Sequence, residues 1–255
     1  MTDVFKLGNR EFSSRFILGS GKFSLPLVRA VTEQGGAEMI TLALRRANAG
    51  GEENILDFIP PGVTLIPNTS GARDAGEAVR IARLARALGC GDFVKIEIMR
   101  DTKYLLPENH ETVLACEMLV AEGFQVLPYV YPDLATARAL VKAGAAAVMP
   151  LGAPIGSNKG LLTREFIRIL VEEIGLPIIV DAGIGRPSHA CEAMELGAAA
   201  VMANTAVATA SDPAEMALAF KLAIEAGRRG FLAGPGRVLE REGEASSPLT
   251  GFLED

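Results

Sequence analysis

The sequence is short of the residues that build disulfide frameworks and metal sites. It has three cysteines, Cys90, Cys116 and Cys191, and two histidines, His110 and His189. An odd number of widely separated cysteines without Cys-x-x-Cys spacing does not form a secretory disulfide framework. Neither histidine belongs to a recognised metal-binding spacing. We therefore expect reduced thiols, no metal and no cofactor.

Long apolar runs and concentrated basic charge are also missing. No stretch approaches the roughly 18 uninterrupted apolar residues of a membrane helix, and the first five residues lack a basic region followed by an apolar core. The net charge is −6, with lysine and arginine scattered rather than gathered into a stripe with aromatics. These absences argue against a membrane or a nucleic acid as partner, and the expected location is the cytoplasm.

The sequence does contain a regular alternation of short β-rich runs and longer amphipathic segments. Hydrophobic residues make up 49% of the chain and charged residues 22%, which is ordinary for a globular protein with a sizeable core. Segments such as Asp74–Leu88 and Pro213–Gly227 return apolar residues every three or four positions. The predicted strands between such segments are Phe16–Gly19, Met39–Leu44, Thr64–Pro67, Phe93–Ile98, Gln125–Tyr129, Ala147–Met149, Pro177–Asp181 and Ala200–Ala203.

Eight strands alternating with helices predict an α/β fold, a single (β/α)8 TIM-type barrel with a parallel eight-stranded sheet. Such a barrel typically needs about 250 residues, and the chain has 255. An open doubly wound sheet is the alternative fold, but no strand leads into a complete dinucleotide fingerprint. We assign residues 1–235 to the barrel, with a short hairpin around Gly8-Asn9-Arg10 capping its bottom, and residues 236–255 to a flexible acidic tail.

The predicted fourth strand carries two charged residues. Side chains alternate along a strand, so Lys95 and Glu97 face one way while Val94, Ile96 and Ile98 face the other. The apolar set suits the helix-facing layer, which leaves Lys95 and Glu97 inside the barrel. An amine whose pKa is lowered by such surroundings is a nucleophile that forms an imine with a carbonyl, and the carboxylate can move protons. The alternative is an internal ion pair that only neutralises itself.

Polar residues also end the seventh and eighth predicted strands, where barrel active sites form. Asp181 precedes a glycine turn and either caps that turn or faces the mouth as a second acid/base. Asn204 and Thr205 follow the eighth strand. The loops after these two strands are the recurrent phosphate site of the fold, and their glycines let backbone N–H groups approach an anion. The glycine-rich loop 150–160 is either a simple connector or, as we expect at the barrel mouth, a lid or a substrate contact.

Six stretches of the chain resemble the bacterial thiazole synthase family of thiamine biosynthesis. They occur in the family's order and cover nearly the whole chain up to about residue 235. The run from Met149 to Ser157 is highly specific, whereas the glycine turns are less so. The six stretches are Leu18-Gly19-Ser20-Gly21-Lys22, Pro67-Asn68-Thr69-Ser70-Gly71, Val94-Lys95-Ile96-Glu97, Val148-Met149-Pro150-Leu151-Gly152-Ala153-Pro154-Ile155-Gly156-Ser157, Val180-Asp181-Ala182-Gly183-Ile184-Gly185 and Ala203-Asn204-Thr205-Ala206.

The resemblance implies a lysine Schiff-base reaction. In that family 1-deoxy-D-xylulose 5-phosphate forms an imine with the strand-four lysine, here Lys95. Sulfur arrives from the C-terminal thiocarboxylate of a small sulfur-carrier protein, and dehydroglycine completes the ring of the thiazole phosphate. By the same match Glu97 and Asp181 are the acid/base residues. The positions that hold the substrate and its phosphate correspond to Gly156, Ala182, Gly183, Asn204 and Thr205.

The resemblance also implies partners. These are the sulfur-carrier protein, the enzyme that produces dehydroglycine, and further copies of the chain in a homo-oligomer, with a tetramer favoured. Two other functions stay open at this point. One is a Schiff-base phospho-sugar aldolase on the same barrel, which needs the same lysine and phosphate site. The other is a non-catalytic barrel that binds a phosphate ligand.

Overall fold

The computed structural model describes residues 3–21, 23–44 and 55–236. Two short strands, β1 (Phe5–Leu7) and β2 (Arg10–Phe12), pair in an antiparallel hairpin. The following strands form one parallel sheet: β3 (Phe16–Gly19), β4 (Met39–Ala43), β5 (Thr64–Asn68), β6 (Phe93–Ile96), β7 (Gln125–Val130), β8 (Met149–Pro150), β9 (Ile179–Val180) and β10 (Ala200–Ala203).

The parallel sheet closes on itself. Its strand order is β8-β7-β6-β5-β4-β3-β10-β9, and the strands at its two ends meet through parallel bridges, Val148 to Ile178 and Leu151 to Asp181. Two backbone hydrogen bonds join the strands at this junction. The Val148 N–H donates to the Pro177 carbonyl at 3.0 Å, and the Ile179 N–H donates to the Val148 carbonyl at 2.9 Å. The predicted (β/α)8 barrel is therefore confirmed, with all eight predicted strands present.

The observed strand ends differ from the prediction mainly at this junction. The observed ladders here have only two residues each: Met149–Pro150, which overlaps the predicted run Ala147–Met149 at Met149 and extends one residue beyond it, and Ile179–Val180, which lies within the predicted run Pro177–Asp181. Single bridges flank those ladders, so the extended backbone continues beyond the regular pairing. Side-chain alternation follows the extended backbone rather than the ladder, and Asp181 accordingly keeps its place at the strand's carboxyl end.

Helices cover the outside of the barrel, and aspartates begin several of them. Asp74, Asp133 and Asp212 each accept the backbone N–H three residues later, at 2.8, 2.7 and 3.0 Å, as N-cap residues do. A 3-10 turn spans Ile55–Phe58. The described α-helices are α1 (Leu25–Gly35), α2 (Ala75–Ala87), α3 (Asn109–Ala121), α4 (Leu134–Ala143), α5 (Arg164–Glu173), α6 (Pro187–Glu195), α7 (Thr205–Ala208) and α8 (Pro213–Ala233).

The β1–β2 hairpin fills the amino-terminal end of the barrel. Gly8 turns the hairpin with a φ of 56°, a conformation that favours glycine. The hairpin's buried apolar side chains pack against inward-facing apolar residues of the barrel strands. The members of this bottom cluster are Phe5, Leu7, Phe12, Ile17, Met39, Ile66, Phe93, Leu127, Ala147, Met149, Ile179, Ala200 and Met202.

An ion-pair cluster fastens the hairpin region to the last helix. Asp3 accepts hydrogen bonds from Arg15 at 2.9 Å and from two guanidinium nitrogens of Arg228 on α8 at 2.8 Å. Arg15 also donates to the Ala199 carbonyl at 2.7 Å. The first described residue is thus tied to the barrel and to α8. The predicted tail at 236–255 lies outside the described residues except for Gly236.

Candidate active site at the barrel mouth

Strand β6 and the residue that follows it place two charged side chains inside the barrel. Lys95 is 2% exposed and Glu97 6% exposed, and Lys95 Nζ lies 2.8 Å from Glu97 Oε1. Val94, Ile96 and Ile98 face the opposite way, into the apolar layer beneath the helices. The alternation read from the sequence therefore holds along this strand, since both charged side chains point to the interior.

Asp181 reaches the same amine from another strand. Its backbone N–H donates to the Pro150 carbonyl at 3.1 Å, which holds the end of β9 against β8. Its side chain is buried, and Oδ2 lies 2.5 Å from Lys95 Nζ. The structure thus brings Lys95, Glu97 and Asp181 together, with the ammonium between two carboxylates. The sequence left open whether Asp181 caps the glycine turn or faces the barrel mouth. In the structure its side chain faces the mouth.

The sequence-based expectation of a lowered lysine pKa is wrong for this arrangement. Burial pushes the pKa of Lys95 down, but the Asp181 and Glu97 carboxylates outweigh it and raise that pKa above its ordinary value of 10.5. Two negative charges within hydrogen-bond distance favour the charged amine more than desolvation disfavours it. At neutral pH Lys95 is an ammonium ion held by two ion pairs.

Two side chains beside Lys95 were not singled out from the sequence. Met202 Sδ lies 3.5 Å from Lys95 Nζ, and the Tyr129 ring centroid lies 5.4 Å from it. Both belong to predicted strands and have inward-facing positions, so strand alternation could have identified them. Their apolar or aromatic character marked them as core residues, and no sequence signal separates a core methionine from one that lines a site.

A cavity of about 430 Å³ opens above the amine at the carboxyl end of the barrel. Lys95, Glu97 and Asp181 lie on its wall. All five residues expected to hold substrate and phosphate line the same cavity: Gly156, Ala182, Gly183, Asn204 and Thr205. Lining residues that the sequence analysis did not single out include Thr41, Ala43, Met99, Leu105 and Met202.

The loops after β8 and β9 are packed tightly together at this cavity. Ala182 has a φ of 59°, which is strained for a residue with a Cβ, and Gly183 follows with a φ of 78°. A Cβ on Gly183 would lie 2.4 Å from Ala153 Cβ. The Gly160 N–H donates to the Gly183 carbonyl at 2.7 Å. The long loop after β8 is therefore bound to its neighbour through the backbone.

Asn204 joins the loop after β10 to the loop after β3. With its amide nitrogen towards that loop, it donates to the carbonyl oxygens of Gly21 at 2.5 Å and Gly19 at 3.2 Å. A Cβ on Gly19 would lie 2.4 Å from Asn204 Cβ, so only glycine fits there. Asn204 shapes this side of the cavity by holding two loops together.

The fold and this site define a class: (β/α)8-barrel enzymes with a buried lysine between carboxylates at the barrel mouth. Comparison with known proteins then gives the particular family. The family model described as "Thiazole biosynthesis protein ThiG" matches residues 6–248. The chain belongs to this family, and the sequence-based prediction of the family is confirmed.

Individual relatives agree with the family match. The chain is 71% identical to the thiazole synthase of Clostridium beijerinckii over 253 residues, which covers 99% of each chain. It is 64% identical to the thiazole synthase of Fusobacterium nucleatum, covering 99% of this chain and 98% of the relative. These relatives confirm the predicted enzyme function, thiazole synthesis for thiamine.

A solved structure matches both fold and sequence. The crystal structure of the Amycolatopsis orientalis BexX/CysO complex contains a chain 38% identical to this one, with a TM-score of 0.84. The match covers 93% of this chain and 98% of that one.

Within the described residues of the present chain, none of the helices combines the length and apolar character that crossing a membrane requires.

Proposed function

We propose that Lys95 forms an imine with the ketone of 1-deoxy-D-xylulose 5-phosphate, and that thiazole phosphate is then assembled on this intermediate. The observation that carries the proposal is the buried amine between Glu97 and Asp181 on the wall of the mouth cavity. The cavity volume of about 430 Å³ suits a small ligand. Membership of the thiazole family favours this reaction over the aldolase and over a non-catalytic barrel.

Because the pKa of Lys95 is raised, the first step of the proposed reaction is the removal of a proton from its ammonium group. An ammonium has no lone pair, so Lys95 must give up a proton before it attacks the ketone carbon. Glu97 Oε1 and Asp181 Oδ2, at 2.8 and 2.5 Å, are within proton-transfer distance. One carboxylate accepts this first proton, and after the attack the nitrogen gives up a second; both protons are passed by the carboxyl groups to the former carbonyl oxygen, which leaves as water. Glu97 and Asp181 thus act as the acid/base residues.

The remaining predicted residues are assigned to substrate binding. Backbone N–H groups of Ala182 and Gly183, beside the start of α6, suit a phosphate because helix amino termini favour anions. Thr205, which contributes a hydroxyl, and Gly156 both line the cavity. Asn204 keeps the Gly19–Gly21 loop in place around the ligand.

We further propose that a small sulfur-carrier protein delivers sulfur to the mouth through its C-terminal thiocarboxylate. A solved relative in a two-protein complex, BexX/CysO, supports a protein partner for this chain. The enzyme that produces dehydroglycine is the second proposed partner. A homo-oligomer, with a tetramer favoured, completes the proposal, and light scattering of the purified protein measures that state.

The test of this function is thiazole phosphate formation with the reconstituted sulfur carrier, comparing wild type with Lys95→Ala. We expect essentially complete loss, because an alanine cannot form the imine. Borohydride reduction with the deoxyxylulose phosphate, followed by mass spectrometry, should locate the adduct on Lys95. Lys142→Ala, which removes an exposed lysine of α4, is the matched control. Turnover by Lys95→Ala, or labelling only by an aldehyde such as glyceraldehyde phosphate, contradicts the proposal.

A further inference from the structure

Imine formation changes the number of hydrogen-bond donors on the lysine nitrogen. The reaction converts R–NH₃⁺ and a ketone into R–NH⁺=C and water, so the charge is conserved while three N–H donors become one. In the structure the three-donor ammonium faces Glu97 Oε1, Asp181 Oδ2 and Met202 Sδ. The protonated imine can satisfy only one carboxylate. The other becomes a buried anion that lacks its strongest donor, which is costly in a dry interior.

Tyr129 carries a donor that the described structure does not use. Its side chain is 0% exposed, and its hydroxyl has no hydrogen-bond partner among the described residues. A buried hydroxyl is normally bonded, because leaving it unpaired is unfavourable. Tyr129 lies on β7 beside β6, where Lys95 pairs with Leu127 in the strand register. Tyr129 is thus the inward residue that follows Leu127, on a level with Glu97.

The electrostatic surroundings of Tyr129 keep it a neutral donor. Burial, then the Asp181 and Glu97 carboxylates, and then Tyr131 raise the pKa of the Tyr129 phenol above its ordinary value. Within the part of the chain that the structure describes, the titratable groups facing Tyr129 are these and Lys95, whose nitrogen lies 5.4 Å from the ring centroid. A phenol that stays protonated beside two carboxylates can donate a hydrogen bond but cannot act as a base.

We propose that Tyr129 is a positioning residue for the lysine-bound intermediate, and that its hydroxyl donates to the carboxylate that loses an N–H donor when the imine forms. This inference rests on the proposed imine at Lys95. In the free enzyme both carboxylates are occupied by the ammonium, which leaves the hydroxyl unused. In the imine state it stabilises the second carboxylate as an anion and so keeps that group available as a base.

The variant Tyr129→Phe removes the hydroxyl alone. We expect the melting temperature of the free protein to be unchanged or slightly higher, because the deleted hydroxyl has no hydrogen-bond partner among the described residues. The rate and extent of borohydride-trapped adduct at Lys95 should fall about 10- to 100-fold, as for loss of a donor to a charged group. We expect kcat to fall with little change in KM. The pH profile of kcat should also differ from that of the wild type, because the variant lacks the donor that stabilises the charged carboxylate.

Tyr131→Phe is the matched control, since it makes the same change two residues away on a side chain that is 39% exposed. Tyr131→Phe should give as much borohydride-trapped adduct at Lys95 as the wild type. Tyr129→Phe with wild-type trapping and pH profile would overturn the inference while leaving the imine proposal intact. A lowered melting temperature with an unchanged pH profile would also overturn it, because the hydroxyl would then be structural. A wild type that traps no adduct at Lys95 removes both proposals.

Discussion

The two ends of this barrel are built from the same strands but are chemically opposite. Strand β6 gives Phe93 to the apolar bottom cluster and Lys95 to the mouth. The extended run through β9 gives Ile179 to the bottom and Asp181 to the mouth. Two residues along a strand keep the same face but move one layer up the barrel. That single step separates side chains that pack the apolar core from side chains to which we assign the proposed reaction.

This difference predicts that substitutions at the two ends should affect different observables. A bottom substitution leaves a cavity in a close-packed interior and lowers the free energy of unfolding. A mouth substitution removes a proton-transfer or binding group and lowers activity. Each of the following variants tests whether stability depends on the bottom of the barrel and activity on the mouth.

The largest effect is expected at the mouth, from Asp181→Asn. The amide is nearly isosteric but cannot accept a proton from Lys95, so kcat for thiazole phosphate should fall by about 10² to 10⁴. Steady-state kinetics measure kcat, and circular dichroism checks the fold. Asp3→Asn, the same change at the barrel bottom, should retain wild-type kcat. Near-normal kcat in Asp181→Asn would show that Glu97 alone moves the protons.

Leu7→Ala tests the bottom cluster. Leu7 is fully buried, and the lost contacts and residual cavity should reduce the free energy of unfolding by about 2–5 kcal/mol. Urea denaturation measures this loss. Below the unfolding transition, kcat per folded molecule should equal that of the wild type. A fall in kcat without a fall in stability would contradict the separation of the two ends.

Gly183→Ala should disturb the mouth without removing a functional group. The added Cβ would overlap Ala153, and a φ of 78° is unfavourable for alanine. Displacement of the adjoining loops should lower kcat/KM about 10- to 100-fold. Gly175→Ala, where an added Cβ meets nothing within 4 Å, is the control. If both variants have wild-type kcat/KM, the close packing of these loops does not position the substrate.

The smallest effect is expected from the ion pairs of Asp3. Hydrogen bonds from Arg228, opposed by partial burial, lower the pKa of Asp3 below its unfolded value of 3.8. A lowered pKa adds stability above the unfolded value that is lost as pH falls through the folded value. At neutral pH Asp3→Asn should cost about 1 kcal/mol or less. In acid unfolding measurements the difference from wild type should shrink as pH falls below 3.8 and vanish only below the lowered pKa of folded Asp3; a difference that persists at still lower pH would rule out the ion pairs as its cause.

The barrel could be predicted from the sequence because the patterns that indicate its strands and helices are local. Eight β-rich runs and their helices follow from periodicity within each segment, and the inward direction of Lys95 and Glu97 follows from alternation along one strand. The pKa of Lys95 was predicted in the wrong direction, because it depends on Asp181, which approaches from a separate strand. Tyr129 was missed for a similar reason: its unused hydroxyl becomes visible only when its neighbours are in place.

The ion pairs of Lys95 have a consequence for chemical selectivity. A free amine at neutral pH would condense with any small aldehyde or ketone that diffused into the barrel and would accumulate dead-end adducts. A protonated amine that is paired with two carboxylates has no lone pair with which to attack such compounds. Only a carbonyl compound held long enough for the proton to be handed over can react. In the proposed mechanism, binding of the sugar is therefore what allows Lys95 to lose its proton and react, and other carbonyl compounds do not accumulate as adducts.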